Sequence, residues 1–185
     1  MRCGSKTRQA LAFPLITSSD SDIRVLRMPG LKQGRMQANA TKGYLFAMQG
    51  HGIGDRTVMI STEYTEAGGH AAAHKLLDLD PRPTAVVCAN DRCAFGLVET
   101  LVRAGVQVPG NISVIGFDDS SVARFPFLDL TSVRPDPRRM AALAIDAAER
   151  RIEDPASPVT EHRVMVSLAV RSSTGAALRG GNLKR

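Results

Sequence analysis

The chain has 185 residues, of which 43% are apolar and 23% charged, and its net charge is +6. That usage suits one ordinary globular domain, or one and part of another, and excludes disorder throughout. Three cysteines are too few for a disulfide scaffold and point to a reducing compartment. No apolar run reaches the ~18 residues of a membrane span, and Pro14 breaks the short apolar stretch near the start, so a cytoplasmic location is the default. Basic residues exceed acidic ones at both ends but do not cluster, and Trp is absent. The excess therefore reads as solvated surface, not as a nucleic-acid patch. Both tyrosines, Tyr44 and Tyr64, fall in apparent core segments.

In chain order, Ile23 to Leu26 reads as a short strand stopped by Pro29-Gly30. Residues 38–50 read as a helix, with Tyr44, Leu45 and Met48 on one apolar face and Gly50, Gly52 and Gly54 ending it. Thr57 to Thr62 reads as a strand. Thr65 is an expected N-cap for a helix reaching about Leu79, despite Gly68 and Gly69 within it. Pro81 and Pro83 stop that helix.

The run from Thr84 to Ala89 is almost wholly apolar, which suits a strand buried on both faces. Asp91 follows as an expected cap. Ala94, Leu97, Val98, Leu101 and Val102 then repeat at helical spacing, and Gly105 closes the helix. Ile112 to Phe117 is a second buried strand, ending in Asp118-Asp119. In the last third, Asp136 and Pro137 open an Ala-rich helix over residues 138–152, with Met140, Leu143, Ala144 and Ala147 expected inward. Val164 to Val170 alternates like an edge strand.

This β-α-β-α-β rhythm predicts an α/β fold, a mostly parallel sheet flanked by helices. Ligands of such sheets bind just beyond the carboxyl ends of the strands. That rule singles out Asn90 and Asp118, each placed where a buried strand runs out.

Five stretches, in order, resemble the effector domain of the lactose/galactose-repressor (LacI/GalR) family. They are Pro83-Thr84-Ala85-Val86-Val87-Cys88-Ala89-Asn90-Asp91, then Gly105 to Pro109, then Asn111-Ile112-Ser113-Val114-Ile115-Gly116-Phe117-Asp118-Asp119, then Leu130-Thr131-Ser132-Val133, then Val170-Arg171-Ser172-Ser173-Thr174. The resemblance implies a periplasmic-binding-protein-like type I fold. Residues 1–130 would form the carboxyl-terminal effector-binding subdomain. Residues 131–158 would be a crossover segment and helix belonging to the amino-terminal subdomain, 159–174 a returning strand, and 175–185 a disordered tail. The family's helix-turn-helix and most of its amino-terminal subdomain are not visible, so DNA would be met only through a missing amino-terminal domain, and the apolar face of residues 131–155 would lack its partner.

The implied function is a sensor of a sugar or nucleoside effector in a transcriptional repressor, with no catalytic step and no cofactor. Buried sites must satisfy every hydroxyl of such a ligand. A carboxylate can accept from two neighbouring hydroxyls, an amide both donates and accepts, and an aromatic ring covers an apolar face. The resemblance gives these roles to Asp118, Asn90 and Tyr64. Each residue also has a plainer reading: Asp118 capping its turn, Asn90-Asp91 starting the next helix, Tyr64 packing in core or loop. The family's sugar-gripping Arg, three residues before Gly43-Tyr44, is replaced by Ala40. Arg35 or Lys42 would have to substitute, or nothing does. A homodimer would form through positions that include Phe95 and Phe125, which are equally readable as core. A transporter's solute-binding component and an inert gene remnant are the alternative readings.

Other signals are weaker. His70 and His74 have a zinc-compatible spacing but no third ligand or catalytic Glu in sequence. Cys88 and Cys93 lack a CxxC spacing. Gly50 to Gly54 lacks a following helix in dinucleotide register. Ser18, Ser19, Ser120 and Ser121 lack a nucleophile-elbow context.

Overall fold

The structure is a computed structural model that describes residues 25–27 and 35–176, with side chains from residue 41 onward. Cys3, residues 1–24 and the expected tail beyond residue 176 lie outside the described residues. The elements run β1 (Val25–Arg27), α1 (Arg35–Gly50), β2 (Thr57–Met59), α2 (Glu66–Leu77), β3 (Ala85–Val87), α3 (Asp91–Arg103), β4 (Ser113–Phe117), β5 (Thr131–Arg134), α4 (Pro137–Glu153) and β6 (Ser167–Ala169). One six-stranded sheet holds them in the order β2-β1-β3-β4-β5-β6. β1 to β5 pair in parallel, and only β6 runs antiparallel, on the β5 edge. The α/β, mostly parallel sheet anticipated from the residues is therefore observed.

Alternation along β3 divides the core between the two faces of the sheet. Val86 belongs to the large cluster under α2 and α3, with Leu76, Leu97, Leu101, Val114 and Leu130. Ala85 and Val87 pack instead against Tyr44 and Met48 of α1. Leu45, expected beside them, is exposed, and so is Val102 at the end of α3.

The α2–α3 contact depends on glycine. A Cβ at Gly69 would overlap the Cys93 carbonyl, and one at Gly96 would overlap the Glu66 carbonyl. The two helices thus meet backbone to backbone, which explains a glycine that looks unfavourable in a helix. Thr65 caps α2 as expected, its hydroxyl accepting from Gly68 N at 3.1 Å. Arg92 on α3 grips Glu66 on α2 with two 2.7 Å bonds. Gly105, at φ +78°, closes α3 as expected.

Two expectations fail here. β2 stops at Met59 instead of reaching Thr62, where a single bridge remains. More consequentially, α4 has no buried residue, and Met140 is 45% exposed. Met140, Leu143, Ala144 and Ala147 are not inward. The helix starts where expected, with Asp136 accepting from Arg139 N and Pro137 in the first turn, but no described element covers its apolar side.

His70 lies between α2 and α3, with Nδ1 2.8 Å from Thr100 Oγ1 and Nε2 3.5 Å from Glu99. His74 is exposed. Among the described residues no group of three His, Cys, Asp or Glu could hold a metal, and no helix is long and apolar enough to cross a membrane.

Gly96→Ala should cost about 3 kcal/mol, the upper end of overpacking penalties, because the new methyl meets backbone. Gly43→Ala, on an exposed part of α1 with open space around it, should gain ~0.5–1 kcal/mol from helix propensity. Urea unfolding of the two variants beside the parent checks both signs.

Candidate ligand-binding site

β1 sits between β2 and β3, so the chain leaves it first to one side and then to the other. The strand ends at such a switch point open a crevice. β3 and β4 pair with Val87 opposite Ile115. Asn90 and Asp118, each three residues further on, therefore leave neighbouring strands at the same level.

Asn90 is the N-cap of α3, and its Oδ1 accepts from Cys93 N at 2.9 Å. Its Nδ2 donates to the Tyr64 carbonyl at 3.2 Å. The amide thus starts a helix and ties down the loop that carries Tyr64, with one N–H left over. The expected cap, Asp91, is instead the first helical residue and is 1% exposed. Its carboxylate reaches over β4 because residue 116 is glycine. A Cβ there would run into Asp91 Oδ1 and the Leu130 side chain.

Tyr64 is 42% exposed, in the loop between β2 and α2. Of its plainer readings, core and loop, the core one does not hold: Tyr64 lies past the Thr62 bridge, in a loop whose backbone is tied to Asn90. Ala40 and Arg35 fall within α1, but their side chains lie outside those described; Lys42 is exposed.

Asp118 and Asp119 have φ of +107° and +48°. Such conformations cost of order 1–3 kcal/mol each in a non-glycine residue and persist only where the surroundings enforce them. Here three successive amides are held. Asp118 N donates to the Val133 carbonyl at 2.9 Å, Asp119 N to Ser132 Oγ at 3.0 Å, and Ser120 N to Asp91 Oδ2 at 2.7 Å.

The two neighbouring carboxylates meet opposite electrostatics. Asp119 is buried and bonded by Arg124 (3.0 Å), Arg134 (2.5 Å) and Arg171 (2.5 Å). Burial pushes its carboxyl up, but the three guanidinium hydrogen bonds outweigh that and hold it at about 2. Asp118 takes no hydrogen bond to its carboxylate from the described residues. Partial burial, and then the charge of Asp91, raise its carboxyl above the usual value. An acid in that condition is poised to accept hydrogen bonds from a visitor.

Phe125 is 42% exposed, and Phe95 packs partly against the core. Phe125 stacks on Phe127 at a centroid distance of 5.9 Å, and Phe95 meets Phe127 edge to face at 5.8 Å. Phe127 is 72% exposed and was not singled out from sequence; two phenylalanines flanking a proline carry no periodicity that would mark it. Ser120, Ser132 and the three arginines were likewise missed as members of this cluster. Ser120 is a hydrogen-bond donor to Asp91 and no nucleophile.

Burial raises both described thiols, Cys93 to about 11 and Cys88 well above its ordinary value. Both are therefore protonated and inert at neutral pH. Among the described residues, two shallow, open hollows lie elsewhere: about 430 Å³ between residues 134–138 and 165–167, and about 550 Å³ beside Val102 and residues 105–110. Asn90, Asp118 and Tyr64 line neither.

Asp119→Asn leaves the poorly exposed Arg171 without its counterion, which should cost about 3 kcal/mol. The depressed Asp119 carboxyl contributes stability that is complete above about pH 4 and is lost as pH falls toward 2. Urea midpoints measured from pH 6 to 2 should fall more gently for Asp119→Asn than for the parent. Asp118→Asn should act oppositely and raise the melting temperature at pH 7, because the parent's charged form is disfavoured by folding. The gain should vanish at low pH, where Asp118 is protonated.

Comparison with known proteins gives a consistent result. The sequence pattern of the periplasmic binding protein-like domain matches residues 21–174. The HTH-type transcriptional repressor PurR of Glaesserella parasuis is 35% identical over 138 residues, covering 71% of this chain and 41% of that protein. A LacI transcriptional regulator from a Rhodococcus species superposes with a TM-score of 0.76 at 34% identity, over 83% of this chain and 56% of that one. A LacI family regulator from Enterococcus faecium, solved with bound ribose, superposes with a TM-score of 0.71 at 26% identity, over 87% of this chain and 59% of that one. The chain thus spans about two fifths of the length of the repressor it matches.

Proposed function

The chain belongs to the periplasmic binding protein-like domain family, in the branch carried by LacI-type transcriptional regulators, and from that premise we propose that it senses a hydroxylated small molecule, a sugar or nucleoside, for such a regulator. One observation carries this reading. Asn90 and Asp118 end adjacent parallel strands at one level, and the Asp118 carboxylate has no donor among the described residues. Its two oxygens offer acceptor sites for neighbouring hydroxyls, the spare Asn90 N–H offers a donor, and Tyr64 is exposed nearby to cover an apolar face.

The open character of this ridge has a physical reason under the same reading. It is one wall of a cleft, and α4 leads toward the other. Of the segment 131–158, residues 131–134 are β5 and pair with β4 in this sheet; we assign only the remainder, α4 with its flanks, to the contact with that second wall, and the exposed faces of Met140 and Ile145 support it. In the full-length regulator, effector binding would close the cleft and shift a dimer between two states through differential affinity, with no chemical step. Phe125 and Phe127 are exposed and stacked, and Phe95 supports Phe127 edge to face from the core, an apolar patch that suits the dimer contact. Recognition of DNA would fall to another part of the protein, in the cytoplasm.

A relative solved with ribose makes D-ribose the first probe, followed by a thermal-shift panel of pentoses, hexoses, disaccharides and nucleosides. Asp118→Ala should weaken binding by about a hundredfold, as expected for two lost charge-assisted bonds, without lowering the melting temperature. Equal affinity of variant and parent by titration calorimetry would remove Asp118 from the site.

A further inference from the structure

Beneath the turn that carries Asp118 lies a second layer of polar side chains that touch no solvent. Asp91 is 1% exposed and Ser132 is fully buried. Ser132 Oγ lies 2.6 Å from Asp91 Oδ1 and 3.0 Å from Asp119 N. A carboxylate accepts only, so the hydroxyl hydrogen must go to Asp91 and the oxygen lone pair to the amide. The bond directions are thereby fixed along the chain from the Asp119 amide, through Ser132, to Asp91. Asp91 Oδ2 accepts from both Ser120 N (2.7 Å) and Ser120 Oγ (2.8 Å). One carboxylate therefore holds the two amides that flank Asp119, the first through Ser132 and the second directly.

The location of Ser132 gives this layer its consequence. It lies on β5 opposite Gly116, next to Val133, whose carbonyl takes the Asp118 amide. Alanine at 132 would leave Asp119 N and Asp91 Oδ1 buried and unpaired, and nothing else described is placed to replace the hydroxyl. The positive φ at Asp118 and Asp119 would then lose the middle one of its three amide restraints.

We propose that Ser132 is a positioning residue for the effector: by joining Asp91 to the Asp119 amide, it fixes the backbone that aims the Asp118 carboxylate and so sets ligand affinity. This inference rests on the reading of Asp118 as the effector's acceptor, and the experiment separates the two.

The test is Ser132→Ala in the full chain, read in two ways. Amide hydrogen exchange at Asp119 and Ser120, followed by NMR, reports the clamp without ligand. Titration calorimetry with D-ribose reports affinity. Exchange at Asp119 should quicken at least tenfold and affinity should fall at least tenfold, with cooperative melting retained. Ser132→Thr, which restores the hydroxyl, should recover most of both, a rescue that lost packing alone would not give. Unchanged exchange, or faster exchange with unchanged affinity, overturns the proposal.

If the parent chain does not bind D-ribose, the effector reading fails for that probe, and the positioning role is judged by NMR titration of the Asp118 carboxyl. In Ser132→Ala it should move back toward the ordinary aspartate value as the turn drifts from Asp91. No movement overturns the proposal. If Ser132→Ala does not fold, Ser132→Cys, similar in volume but a weaker donor, takes its place with the same outcomes in smaller degree.

Discussion

The Asp91 carboxylate lies at the first turn of α3, against Gly116 of β4 and Ser132 of the neighbouring β5, and accepts from a backbone N–H and two hydroxyls. A carboxylate so far from water is tolerated only when its lone pairs are filled, and the helix N-terminus adds a favourable dipole. Gly116 makes the room for it, and Ser120 and Ser132 converge on it. The segment from 116 to 120 thus takes its path from an acid on another element. Without Asp91 the sheet would survive, but the turn at the end of β4 would have no reason to adopt two consecutive positive φ values.

That turn separates two adjacent aspartates into different physical roles. Asp119 points inward and is neutralised by arginines from the turn, from β5 and from the segment after β6. It joins three parts of the chain through one carboxylate. Asp118 points away from them and keeps its charge uncompensated by any described donor. The stable member of the pair anchors the position of the other, whose unsatisfied carboxylate is what the proposed effector role would use.

Sequence revealed the elements well, because a parallel sheet covered on both faces leaves near-continuous apolar runs such as Thr84 to Ala89. Strand ends were placed too generously, since an apolar residue at a strand tip looks the same whether or not it is hydrogen-bonded. The placement of Asn90 and Asp118 just beyond two buried strands is legible from the apolar runs that precede them. Asp91 was misread because Asp is a good cap, and nothing in the local pattern tells a capping Asp from one that reaches across to a glycine on the next strand. The Asp119 cluster was invisible for a related reason: its arginines stand 5, 15 and 52 residues away. The inward face assigned to α4 shows the complementary limit. Periodicity tells that a face wants cover, and never what supplies it.

The 17 residues of α4 make a helix that returns almost no buried area. Its order comes from alanine content, the Asp136 cap and Pro137, all of them local. An isolated helix of that length is only marginally favourable in water. α4 is therefore a separate cooperative unit that melts ahead of the sheet. Heat-absorption curves of this chain would carry a broad early shoulder, and a single van't Hoff enthalpy would understate the calorimetric one. Whatever docks against that helix would merge the two transitions, so the sharpness of unfolding is itself a gauge of whether its apolar side is covered.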